Sequence, residues 1–108
     1  MSREVVLTAD ATADLLEIVD WISANDSPAR AGHVLERIES AVAGLSRFAQ
    51  RGAYPHELLA AGVRDYRETA FKPYRIVYRV ESKRVVVHLI ADGRRDLRAL
   101  LGRRLLEG

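Results

Sequence analysis

"YRIVYRVESKRVVVHLIADGRRD", residues 74–96, decides the fold. Two runs of alternating and β-branched residues flank a three-residue turn, "ESK" (81–83), which predicts an antiparallel pair over 74–80 and 84–91. Side chains alternate across a strand, so Tyr74, Ile76, Tyr78 and Val80 share one face while Arg75, Val77 and Arg79 share the other. The first face suits burial under helices. In the second strand Val85, Val87 and Leu89 alternate with Val86, His88 and Ile90, which makes both faces apolar and predicts a central place in the sheet. Gly93 ends the strand and Asp96 caps a short C-terminal helix built on Leu97, Leu100, Leu101 and Leu105.

Working outward, "DYRETAF" (65–71) reads as a third strand, joined to the middle one by "KP" and therefore antiparallel to it. "QRGAYPHELLAAG" (50–62) has two glycines and a proline and no sustained periodicity, so it is expected as a long loop. Before it, Ala31, Val34, Leu35, Ile38, Ala41, Val42, Leu45 and Phe48 hold helical spacing behind Ser27–Pro28, a hydroxyl cap followed by proline at the first helical position. An earlier helix of about 15 residues carries Leu15, Ile18, Val19 and Ile22 and ends near "SANDS", with Thr8 or Asp10 as its cap. So short a connection makes the two helices an antiparallel hairpin. "REVVLT" (3–8) is an N-terminal strand. The expected class is α+β, with element order β-α-α-β-β-β and a short C-terminal helix, the helical hairpin lying on an antiparallel sheet.

The 108 residues fit one domain over 1–108, with one modest core. The absence of cysteine removes disulfides and thiolate chemistry and suits a reducing cytoplasm. No apolar run reaches the length of a bilayer span, and "MSREVVLTAD" has charge where a signal peptide is apolar. The expectation is a cytoplasmic protein without membrane contact. The net charge of +2 hides an asymmetry: residues 1–63 carry 5 Lys/Arg against 9 Asp/Glu, and residues 64–108 carry 12 against 6. Fifteen of the 17 basic residues are arginine, whose planar fork pairs bidentately with phosphate or carboxylate. The same side chains also suit the solvated face of a half-buried sheet.

"TADATADLLEIVDWI" and "YRIVYRVESKRVVVHLIADGRRDL", taken with the element order, resemble the RelE/ParE superfamily of bacterial type II toxins over nearly the whole chain. That resemblance implies two alternative activities on one fold. RelE-like members cut messenger RNA on the ribosome, and ParE-like members inhibit DNA gyrase. Both are neutralised by a cognate antitoxin, which implies a hetero-oligomer. Arg75 and Arg95 match basic positions of the RelE-type site and Arg67 falls near a lysine-bearing strand there, so these three are the candidates for RNA cleavage. The position of that family's tyrosine is occupied by Leu101, and the paired lysines are replaced by Arg67, Glu68 and Thr69. The charge-stabilising half of a ribonuclease is thus present, while its proton-transferring half is left to Tyr66, Tyr74, Lys72 or His88 as substitutes for the family's own residues. The "ADLLEI" opening and long second helix resemble the ParE branch, which needs a binding surface and no catalytic set. On that reading Arg75, Arg79, Arg94, Arg95, Arg98 and Trp21 are candidates for contact with antitoxin or gyrase. His33, His56 and His88 lack ligand spacing, and no phosphate loop or nucleophile elbow occurs, so no metal or cofactor is expected.

Overall fold

The computed structural model describes residues 2–106. Its elements run β1 (Glu4–Leu7), α1 (Ala9–Asn25), α2 (Pro28–Phe48), α3 (His56–Ala60), β2 (Arg67–Phe71), β3 (Tyr74–Val80), β4 (Arg84–Asp92) and α4 (Leu97–Leu101). A 3-10 turn follows α2 and a π-helical turn, Gly102–Leu106, follows α4. The caps are where the side-chain chemistry places them. Thr8 Oγ1 accepts the Ala11 N–H at 3.1 Å, Ser27 Oγ accepts that of Arg30 at 3.0 Å, and Asp96 Oδ1 accepts that of Ala99 at 3.2 Å. Asp10 lies in the first turn of α1, where its charge complements the helix dipole.

The sheet order is β1-β4-β3-β2. Strands β2, β3 and β4 form the antiparallel sheet expected from the turns, and β4 is central. β1 adds a fourth strand in parallel with β4, pairing Glu4 with Arg84 through Leu7 with Val87, so the sheet is mixed. A parallel neighbour has to come from far along the chain, and here the connection runs through the helical hairpin, α3 and the β2–β3 pair.

Alternation along β4 breaks at one residue. Tyr78 pairs with Val87 and Val77 with Leu89, which leaves His88 as the extra residue of a β-bulge. The bulge corrects the expected facing of the strand. Val85, Val87 and Ile90 join Ile76 and Tyr78 under α1 and α2, while Leu89 and Ala91 face the other way. Both faces are therefore apolar, as the composition of β4 predicts, but the set on each face changes past His88.

The segment expected as a long loop, 50–62, contains a helix. Residues 56–60 form α3, whose Leu58 is buried with Val77, Leu89, Leu97 and Leu101 on the sheet face away from the hairpin. The helix closes with Gly62 at φ +79°, the Gly62 N–H on the Leu59 carbonyl and the Val63 N–H on that of Leu58. This left-handed stop favours glycine, and Val63 packs on the same cluster as Leu58. β2 begins at Arg67, two residues after the predicted start, and Tyr66 packs into that second cluster.

Candidate functional site

The arginines of the sheet fall into distinct environments. Arg75 and Val77 share a face of β3, and Val77 belongs to the cluster under α3 and α4. Arg67 pairs with Tyr78, which belongs to the cluster under α1 and α2. Arg67 and Arg75 therefore lie on opposite faces of the sheet.

Arg75 is enclosed by two carboxylates. Its Nε donates to Glu68 Oε1 at 2.6 Å and its Nη2 to Glu68 Oε2 at 2.9 Å, while Nη1 and Nη2 donate to Glu57 at 2.6 and 2.8 Å. Glu57 comes from the first turn of α3 and Glu68 from β2, and all three side chains are largely covered. Hydrogen bonding to Arg75 holds the Glu57 carboxyl below its ordinary range, and the two carboxylates raise Arg75 above its own. The triad has a net negative charge, so it repels a phosphate. Arg67 donates to the Gly52 carbonyl at 2.8 Å and to the Tyr54 hydroxyl at 3.2 Å, and stacks 4.6 Å from the Tyr54 ring. Leu101 is 0% exposed in the second apolar cluster.

A groove forms where β4 outruns β1. Past Val87 the exposed edge of β4 is partly occupied: the Ile90 N–H donates to Asp14 Oδ2 at 3.0 Å, and Arg104 Nη1 donates to the His88 carbonyl at 3.0 Å. Arg104 and Asp14 also bind each other through two hydrogen bonds of 2.9 and 3.0 Å. This latch ties α1, the bulge and the final turn together. Beyond it lies a cavity of about 450 Å³ lined by Glu17, Ile18, Trp21, Tyr74, Arg94 and Arg95, among others. Trp21 is 66% exposed and also borders a smaller cavity containing Arg30, Phe71 and Pro73. Arg94 is oriented by Asp92, with Nη2 to Oδ2 at 2.6 Å, an interaction that holds the Asp92 carboxyl below its ordinary range. Arg95 is exposed and makes no ion pair among the described residues.

Of the residues singled out in the sequence, the structure thus brings Trp21, Arg94 and Arg95 together. Arg75 lies apart in its acidic enclosure, Arg79 lines a separate cavity with Arg67, and Arg98 is exposed on α4. The sequence reading missed the Asp14–Arg104 latch, which spans 90 residues and has no local signal. It also missed Glu57, whose setting in "HELLA" behind Pro55 and ahead of Gly62 is a helix signal. Among the described residues no three of His, Cys, Asp and Glu stand close enough together to hold a metal ion. The groove is an open surface that carries the aromatics Trp21 and Tyr74, the cations Arg94 and Arg95, and the carboxylates Asp14, Glu17 and Asp92. Such a surface suits docking of a polypeptide.

The fold has solved counterparts among toxin–antitoxin proteins. A chain of the chromosomal ParDE toxin–antitoxin system of P. aeruginosa superposes with TM-score 0.70 at 24% identity, covering 84% of this chain and 96% of that one. A chain of the RelBE2 toxin–antitoxin complex of Mycobacterium tuberculosis gives TM-score 0.61 at 21% identity over 85% of this chain and 99% of that one. These likenesses establish the RelE/ParE-type fold. At the sequence level, residues 5–97 match the family model of the ParE toxin of the type II parDE toxin–antitoxin system. Toxin ParE3 of Caulobacter vibrioides is 32% identical over 100 residues, 93% of this chain and 96% of that protein. The chain belongs to the ParE toxin family.

Proposed function

We propose that this ParE-family toxin acts from the cytoplasm, as one domain over residues 1–108, by binding and inhibiting DNA gyrase, and that a cognate antitoxin silences it by occupying the Trp21 groove. The observation that carries the binding-surface reading is the groove itself, where an exposed tryptophan and Arg94 and Arg95 border one open cavity. An antitoxin tail that fits it is apolar toward Trp21 and Ile18 and acidic where it passes Arg95. Family membership and the toxin–antitoxin complexes among the fold's counterparts support the partner. Arg79, Arg94, Arg95 and Arg98, all exposed, are the residues we assign to antitoxin or gyrase contact beside Trp21.

The geometry around the RNA-cleaving candidates favours a non-enzymatic toxin. Arg67 and Arg75 lie on opposite sheet faces, Arg75 is engaged by two carboxylates, and Leu101 is buried without a proton-transferring group. Cleavage at one phosphate needs such groups within hydrogen-bond reach of the same atoms. The test is a paired assay of purified protein: gyrase supercoiling of relaxed plasmid, and integrity of messenger RNA on a programmed ribosome. Blocked supercoiling with intact RNA, reversed by antitoxin, is the expected result. Codon-positioned cuts with normal supercoiling overturn it.

A further inference from the structure

A second cavity, of about 510 Å³, opens at the hairpin end of the sheet, between the β3–β4 turn, the start of β2 and the segment after α3. Four arginines line it: Arg3, Arg64, Arg67 and Arg79. Among the described residues none of the four makes an ion pair, whereas Arg75, Arg84, Arg94 and Arg104 all do. Two carboxylates share the lining, Asp65 and Glu81, and that of Glu81 is engaged by Arg84 at 2.7 Å. The cavity therefore has a net positive charge that the protein leaves unneutralised, which concentrates anions at its mouth.

Part of this cluster is held in place. Arg67 is fixed by the Gly52 carbonyl and Tyr54 hydroxyl, and Arg3 Nε donates to the Glu81 carbonyl at 3.0 Å. Arg64 and Arg79 are exposed arms. We propose that this cavity binds the phosphodiester backbone of duplex DNA. Guanidinium forks match phosphate oxygens, and several of them on one surface match a run of phosphates better than a single ion. Single strands are bound through stacking platforms, and the aromatic here is already covered: Arg67 and Arg64 lie 4.6 and 6.0 Å from the Tyr54 ring. A duplex keeps the faces of its bases stacked inside and presents a continuous run of phosphates along each strand. The cavity shares no lining residue with the Trp21 groove, so the two are able to be occupied together.

The experiment is fluorescence anisotropy of the full-length protein with a short duplex of arbitrary sequence, titrated between about 50 and 200 mM salt. With three or four phosphates engaged, log K falls against log salt with a slope of about −3 to −4. Arg64→Gln and Arg79→Gln each weaken binding about tenfold, equally for unrelated sequences, and reduce the slope by about 1. Arg37→Gln, which removes one positive charge on α2 beside Phe71, leaves both unchanged. Circular dichroism verifies that each variant is folded; Arg67 is left intact because it anchors Gly52. The proposal is overturned by absence of duplex binding at the lowest salt, by equal losses in Arg37→Gln and Arg79→Gln, or by preference for single strands. Calorimetric binding of inorganic phosphate with the same arginine dependence, while duplex stays unbound, overturns it in favour of a small anion.

Discussion

Arg75 and Arg79 lie two turns of alternation apart on the same face of β3, yet they belong to different kinds of structure. Arg75 is 15% exposed in its side chain and fully engaged by Glu57 and Glu68; Arg79 is exposed and unpaired among the described residues. Nothing within the strand separates them. The difference comes from α3, which lowers one carboxylate onto Arg75, and from β2, whose register sets Glu68 opposite Val77. An arginine in a basic stretch is thus drawn into the fold or left exposed according to the carboxylates that distant elements bring to it.

The sharpest way to break this comparison is to truncate both. Arg75→Ala leaves two covered carboxylates facing each other and is expected to cost about 3 kcal/mol, since breaking a buried pair strands a charge. Arg79→Ala should stay within about 0.5 kcal/mol, the range for a surface change. Chemical denaturation measures both, and equal costs would remove the distinction. The same region is sharpened at Gly52, where an added Cβ would lie 2.0 Å from the Tyr78 hydroxyl and 2.8 Å from the Glu68 carbonyl. Gly52→Ala should destabilise by about 2 kcal/mol through overpacking, whereas the same change at Gly44, with nothing near the new methyl, should be neutral or stabilising.

On the binding side, Trp21→Ala should leave the melting temperature nearly unchanged and weaken antitoxin binding by about 2 kcal/mol, roughly 30-fold, as for a central aromatic anchor. Unaltered affinity in a titration of the two purified proteins would move the antitoxin elsewhere. The smallest effect is that of pH. Glu57 titrates below its ordinary value of 4.5 because it is bound to Arg75, so its contribution is complete above that value and is lost as pH falls through the lower folded value. Glu57→Gln should flatten the acid limb of the stability curve; Glu39→Gln, on the exposed side of α2, should not.

How much of this was legible follows the range of the interactions. The β3–β4 hairpin, the β2 pairing and the capped helices rest on local patterns: alternation, short turns, and Thr8 and Ser27 before apolar periodicity. Helix α3 was marked by Pro55 and Gly62, but five residues are too few for a periodicity to outweigh the turn composition around them. The His88 bulge has no mark at all, because an extra residue in one strand shows only against its partner. Sites followed the same rule. Trp21, Arg94 and Arg95 are candidate contacts from the sequence, but the exposure of Trp21 and the convergence of the three depend on how α1 crosses the end of β4. The enclosure of Arg75 depends on Glu57, which lies in the misread segment.

The parallel pairing of β1 has a consequence in time. Leu7 meets Val87 across 80 residues, so β1 waits for β4, the last of the four strands. At translation rates of about 5 to 20 residues per second that interval lasts on the order of 4 to 16 seconds. Until then β1 has no neighbour in the sheet, and the Asp14–Arg104 tie waits for a residue later still. The sheet is therefore closed only when β4 arrives, and a partner present during synthesis meets β1 while its place beside β4 is still empty.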